Sequence, residues 1–252
     1  VVASSIVTPS FKASICSFAF AVNLLALMFN FFSNLPVANI TIPSLIFPII
    51  PSSNKLSAVT SVFFTLFTNK KKGLCMIQLE HISKKFKKKT VLNDISYTFE
   101  TGKIYGIYGI NGSGKTMLLR IISGLVFPTS GSIIINGKTL HKEISFPDHM
   151  GLIIENMELQ PQLTAFENLE ELNKINHYAT TSDIQDALRK INLESNEKVK
   201  KFSLGMKQKL NIAQAIFESP QLLLLDEPTN ALDTDTIGCL KAILEDLKKK
   251  KS

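Results

Sequence analysis

Gly109-Ile110-Asn111-Gly112-Ser113-Gly114-Lys115-Thr116 keeps the spacing G-x-x-x-x-G-K-[ST]. Such a run cradles phosphate. Glycines let the backbone wrap so that successive N–H groups face phosphate oxygens. A helix opening directly after the loop, through Met117, adds its positive N-terminal end. Lys115 brings a compact positive charge to the β- and γ-phosphates, and Thr116 offers a hydroxyl to Mg²⁺. Some 110 residues later Leu222-Leu223-Leu224-Leu225 ends in Asp226-Glu227. Asp226 is the expected second partner of Mg²⁺. Glu227 is set to polarise a water for in-line attack on the γ-phosphate. A glycine turn beside a surface lysine, or two acids solvating a strand end, would explain either motif by itself. Together they point to hydrolysis of a nucleoside triphosphate.

The elements around these residues read as alternating strands and helices. Ile77 to Ile82 alternates apolar and polar, as a half-buried strand does. A basic turn from Lys84 to Lys89 leads to a second strand, Val91 to Phe99. Lys103 to Tyr108 runs into the phosphate loop, and Met117 to Leu125 has helical character. Ser132 to Ile135 is a strand stopped by Asn136-Gly137. Met150 to Ile154 is apolar. Helices come next at Ala165–Ile175, Ser182–Ile191 and Lys207–Phe217, the second starting after Ser182. Leu222 to Leu225 has the uniform character of a strand buried on both faces. Thr236 to Leu247 is a last amphipathic helix. The order argues an α/β layer fold with antiparallel strands first and a helical block in the middle.

The chain has 252 residues, 45% hydrophobic and 19% charged, enough to bury a core. Cys16, Cys75 and Cys239 lie far apart with no CxxC, which excludes a disulfide framework or a cysteine zinc site. The formal charge of +7 is unevenly spread. Residues 1–75 contain no acid, five lysines, ten of 17 phenylalanines and one glycine. Residues 76–252 hold all 21 acids against 23 basic residues. Basicity is therefore weak evidence for nucleic acid, and none is expected as a partner. Lys84, Lys85, Lys87, Lys88 and Lys89 read as a solvated strand turn.

Two readings of residues 1–75 stay open. Ile15 to Phe32 is uncharged and at the short end for a membrane span, which suggests an anchor. Pro36, Pro43, Pro48 and Pro51 then rule out a regular helix from Leu35 to Pro51. Alternatively the segment is translated upstream sequence. Met76 is a plausible start, and Lys71-Lys72-Gly73 would be encoded by a purine-rich run like a ribosome-binding site. A secretory signal conflicts with a need for cellular ATP.

From about Met76 to its end the chain closely resembles the nucleotide-binding domain of ABC transporters. Phe99 to Gly106 leads into the phosphate loop as in that family, and Asn230-Ala231-Leu232-Asp233 matches the loop that touches an opposite subunit. The resemblance implies a P-loop NTPase three-layer sandwich with an antiparallel β subdomain and an inserted helical subdomain. It implies ATP and Mg²⁺ as ligands, with Phe86 stacking on adenine. Residues Gly109 to Met117 would hold the nucleotide. Where the family has Leu-Ser-Gly-Gly-Gln, this chain has Phe202-Ser203-Leu204-Gly205-Met206. Ser203 and Gly205 would still reach the γ-phosphate held by a second subunit. Where the family has a glutamine, this chain has Glu155, which would coordinate Mg²⁺ or orient water. Both departures resemble the ATPase subunits of bacitracin- and lantibiotic-resistance exporters.

The implied function is ATP hydrolysis by a peripheral subunit at the cytoplasmic face of the membrane. Its partners would be a membrane-spanning permease, which docks on the helical block beginning at Gln160, and a second ATP-binding domain, in a homodimer or heterodimer. The family's histidine, about thirty residues past Asp233 and after one more strand, would lie beyond Ser252. The resemblance therefore implies a C-terminally incomplete domain, an unpaired sheet edge and impaired turnover. The other reading is a non-transport ATPase of the same fold, such as a translation or repair factor. Neither the second domain and charged linker of the former nor the coiled coil of the latter is visible.

Overall fold

The computed structural model describes residues 37–39, 59–66, 77–154 and 157–249. Two sheets organise them. The first is antiparallel, in the order β4-β3-β6-β7. Its strands are β3 (Ile77–Phe86), β4 (Lys89–Phe99), β6 (Ser130–Ile135) and β7 (Lys138–Thr139). The expected basic turn is mostly strand: β3 and β4 pair up to Phe86 and Lys89, leaving Lys87-Lys88 as the tip. Polar residues such as Glu80, His81, Asn93, Asp94, Ser96 and Thr98 take the exposed positions of β3 and β4, while Ile77, Leu79, Ile82, Leu92, Ile95 and Phe99 are buried.

The second sheet runs β1-β5-β2-β9-β8. It comprises β1 (Val37–Asn39), β2 (Val59–Leu66), β5 (Ile104–Ile110), β8 (Met150–Ile153) and β9 (Leu222–Asp226). All its neighbours are parallel except β2, which is antiparallel to both β5 and β9. This corrects the expected open edge beside these strands. β5 and β9 stand two strand spacings apart, and buried N–H and C=O groups need partners. Val59–Leu66, from the acid-free segment, supplies them on both sides. The candidate span from Ile15 to Phe32 lies outside the described residues. Among the described residues no helix is long and apolar enough to cross a membrane.

β9 shows why the layers form. Leu222 and Leu224 enter a core shared with the antiparallel sheet and with α1 (Lys115–Ile122). Leu223 and Leu225 enter a second core with α2 (Ala165–Asn176), α3 (Thr181–Lys190), α4 (Leu204–Ile216) and α5 (Thr234–Lys249). Alternation along one strand thus feeds two cores, as it must for a strand covered on both faces. β5 behaves likewise, with Tyr105 and Ile107 on one side and Ile104 on the other. The result is the three-layer arrangement that the resemblance implies.

Four helices start one to three residues earlier than the sequence reading, α1 and α5 by two residues each, and capping explains the other two. α3 is capped by Thr180 and not Ser182, because Asp183 three residues on reaches back to the Thr180 N–H at 2.8 Å and closes a capping box. α4 begins at Leu204 and not Lys207, because the Ser203 hydroxyl accepts from the Met206 N–H at 3.2 Å. α2 has the same kind of box, from Thr164 and Glu167.

Candidate functional site

The phosphate loop joins β5 to α1. Gly112 and Gly114 have φ of 78° and 98°, backbone that side chains resist. Gly114 is doubly constrained: a Cβ there would stand 2.9 Å from the Val91 carbonyl oxygen and 2.8 Å from Leu92. The first turn of α1 carries no acid, so its positive end is left for an external anion. Lys115 is only 5% exposed. Its Nζ donates to the carbonyls of Gly109 at 2.8 Å and Ile110 at 3.0 Å, lying across the loop. The Ser113 Oγ is buried with no hydrogen-bond partner. A buried hydroxyl of this kind costs free energy unless a ligand completes it, and a phosphate oxygen would do so. Asn111 is exposed at the tip, and Thr116 and Met117 are half-buried in the first turn.

Asp226 ends β9 and is 4% exposed. It stands level with Val62 of β2, which also faces Ile107 of β5, while Ile110 pairs with Val59. Because β5 and β9 run the same way, the phosphate loop and Asp226 leave the sheet at one edge, from strands about 9–10 Å apart laterally. Ligands in open α/β sheets gather at that edge. Thr116 and Asp226 offer hard oxygens, which suit Mg²⁺. Among the described residues no group of three or more His, Cys, Asp or Glu could hold a metal. The donor set therefore fits a cation that brings phosphate and water oxygens with it.

Glu227 comes next in left-handed backbone, φ 46°. Its Oε2 accepts from Asn230 Nδ2 at 2.6 Å. The same loop is tied to α4: Gln208 Nε2 donates to the Pro228 carbonyl at 3.1 Å. A Cβ at Gly205 would lie 2.9 Å from the Ala231 carbonyl oxygen. Asp233 accepts from the Thr236 N–H at 2.7 Å and so caps α5, and these hydrogen bonds from Thr236 hold its carboxyl below the usual range. The fold thus brings Ser203 and Gly205 beside the 227–233 loop of their own chain. The Ser203 hydroxyl serves the first turn of α4 and not the phosphate loop.

Phe86 is 48% exposed at the end of β3, with Lys84 Nζ 4.9 Å from its ring centre. The hairpin carries it toward the loop, since Val91 of β4 packs on Gly114. Glu155 lies outside the described residues. Sequence reasoning missed the Gln208–Pro228 tie, and it gave Asn230 only as part of a loop touching an opposite subunit, not as a partner of Glu227. The only signal was an amide three residues after Glu227, which has no meaning until the chain turns.

It also missed a groove of about 600 Å³ between α1, β8 and the α2 end, lined among others by Arg120, Leu125, Met157, Leu172, Ile175 and Glu218. Ile175 is 74% exposed. Burial pushes the Glu218 carboxyl above its usual value. A raised carboxyl carries no penalty below the unfolded-state value. The penalty grows as pH rises through the raised value and is complete above it. Glu218→Gln is therefore expected to raise Tm by roughly 1–2 °C at pH 7.5, the small size reflecting partial solvation. The gain should vanish near pH 4 in paired thermal melts.

The family model described as ABC transporter matches residues 92–230. An uncharacterized ABC transporter ATP-binding protein of Bacillus subtilis (strain 168), YybJ, is 59% identical over 177 residues, 69% of this chain and 81% of that protein. The lantibiotic transport ATP-binding protein SrtF of Streptococcus pyogenes is 40% identical over 177 residues, 69% of this chain and 75% of that protein. The dimeric ATP-binding cassette MJ0796, in a post-hydrolysis state bound to ADP and Pi, superposes with a TM-score of 0.59. It is 25% identical and covers 69% of this chain and 83% of that one. These likenesses do not favour a translation or repair factor. A match over more than half the chain, seated on a phosphate loop and an acid-ended strand at one sheet edge, makes this chain a member of the ABC transporter ATP-binding family, an ATP hydrolase that powers a separate membrane permease.

Proposed function

We propose that residues 76–252, with Val59–Leu66 paired into their sheet, form the ATP-handling unit of an exporter for peptide antibiotics, acting in export or immunity. The common edge shared by the phosphate loop and Asp226 supports this reading most directly. The loop N–H groups from Ile110 to Met117 hold the triphosphate, and the Ser113 hydroxyl donates to it. Lys115 exchanges its carbonyl partners for β- and γ-phosphate oxygens, gaining charge-assisted bonds for neutral ones. Phe86 stacks on adenine. Thr116 and Asp226 hold Mg²⁺, with Glu155 as a further oxygen ligand or water-orienting group. Mg²⁺ supplies charge neutralisation on the phosphates. Glu227 accepts the proton of the attacking water. Ser203 and Gly205 face the γ-phosphate of the other domain in a homodimer or heterodimer, so that binding closes the pair and hydrolysis reopens it.

The groove beside α1 receives a helix of the permease, which keeps the subunit at the cytoplasmic face of the membrane. Its apolar rim with one basic and one acidic residue suits an amphipathic helix. The test co-expresses the chain with a candidate multi-span permease. Leu125→Asp combined with Ile175→Asp, both on exposed positions, is expected to cut the membrane-bound fraction about ten-fold or more. ATP affinity should be unaltered. Undiminished membrane binding would overturn the docking assignment.

A further inference from the structure

We infer that Asn230 is a positioning residue for hydrolysis, acting through Glu227, and this rests on Glu227 being the group that activates water. Asn230 grips Glu227 twice. Its backbone N–H donates to the Glu227 carbonyl at 3.1 Å, and its side-chain Nδ2 donates to Oε2 at 2.6 Å. The first bond belongs to the turn and any residue would make it. The second needs an amide. At 2.6 Å it is at the short end for a bond to a carboxylate.

The grip matters because Glu227 is held in sparsely populated backbone. Its φ is 46°, and Pro228 is the next residue. The proline ring disfavours the right-handed region for the residue before it, leaving extended backbone as the ordinary alternative. A left-handed glutamate persists only where its surroundings over-determine it. Here the surroundings are the two hydrogen bonds from Asn230 on one side and the Gln208–Pro228 contact from α4 on the other. An extended Glu227 would swing its carboxylate away from the end of β9.

The side-chain bond also assigns the two oxygens. Oε2 is engaged by Asn230, so Oε1 is the oxygen that faces water. A carboxylate fixed at one oxygen presents the other in a single direction, and misplacement of about 1 Å at such a group costs up to about 100-fold in rate. Asn230 is exposed, so replacing it should not disturb the core.

The test uses the full chain with Asn230→Ala and Asn230→Asp, the latter equal in size but unable to donate. Both are expected to lower kcat about 10- to 100-fold. KM and the affinity for a fluorescent ATP analogue should stay within about two-fold. In the Glu227→Gln background the same changes should add nothing, because the group they position is gone. A second readout needs no turnover: the ¹³C carboxylate resonance of Glu227 in the nucleotide-free chain, identified by its loss in Glu227→Gln, should move in both Asn230 variants. An unmoved resonance overturns the proposal. So does an equal slowing with and without Glu227, which is what a merely structural role would give. A Glu227→Gln chain with full kcat would instead sink the role of Glu227 itself.

Discussion

Lys115→Ala is expected to weaken ATP binding by about 100-fold or more. Each hydrogen bond to a charged group contributes about 1.5–3 kcal/mol, and this lysine is set to make at least two to the β- and γ-phosphates. The structure adds a second loss. In the nucleotide-free chain Lys115 Nζ ties the carbonyls of Gly109 and Ile110. Alanine leaves both without that donor, so the loop loses the clamp that shapes it. Lys115→Met keeps the stem but also lacks the Nζ donor, so it is expected to lose about as much affinity as Lys115→Ala. Equilibrium titration with a fluorescent ATP analogue reads both variants. If Lys115→Ala bound ATP as tightly as the parent chain, the phosphate-loop assignment would be wrong.

Glu227→Gln should do the opposite: leave binding intact and slow turnover severely. A general base contributes about 10²–10⁴-fold, and glutamine keeps the shape while losing the ability to take a proton. The Asn230 donor can still find an oxygen on the new amide, so the 227–233 loop should keep its form. ATP-bound dimers should accumulate, visible by size-exclusion chromatography with excess Mg-ATP. Phosphate release at the parent rate would show that another group activates the water.

The contrast between these effects stems from where the two residues sit. Lys115 belongs to a loop shaped by its glycines, with the Ser113 hydroxyl buried inside it. Glu227 belongs to a loop tied to α4 through Gln208 and to α5 through the Asp233 cap. The Glu227 loop is thus held to the helical block through Pro228, while the phosphate loop lies against β4, where Val91 and Leu92 approach Gly114.

Much of this was legible in the chain itself. The phosphate loop needs glycines at fixed offsets, and a strand buried on both faces needs unbroken leucines, so Gly109–Thr116 and Leu222–Glu227 declare themselves. These are local requirements: turn conformation, strand burial and helix polarity act over a few residues. Helix boundaries were less legible. Ser182 and Thr180 are both good caps, and only the reach of Asp183 decides between them.

Tertiary structure decided the adjacency between distant segments. No spacing in the sequence says that Val59–Leu66 stands between the phosphate-loop strand and the Asp226 strand. That pairing depends on buried backbone groups finding any compatible partner. Nor does the sequence show that Gln208 meets Pro228, or that Ile175 and Leu125 rim one groove. The chemistry of each group was written in its residue type and immediate neighbours. The distance and direction between groups came from packing two cores against opposite faces of one sheet, a property of the whole chain that no short window carries.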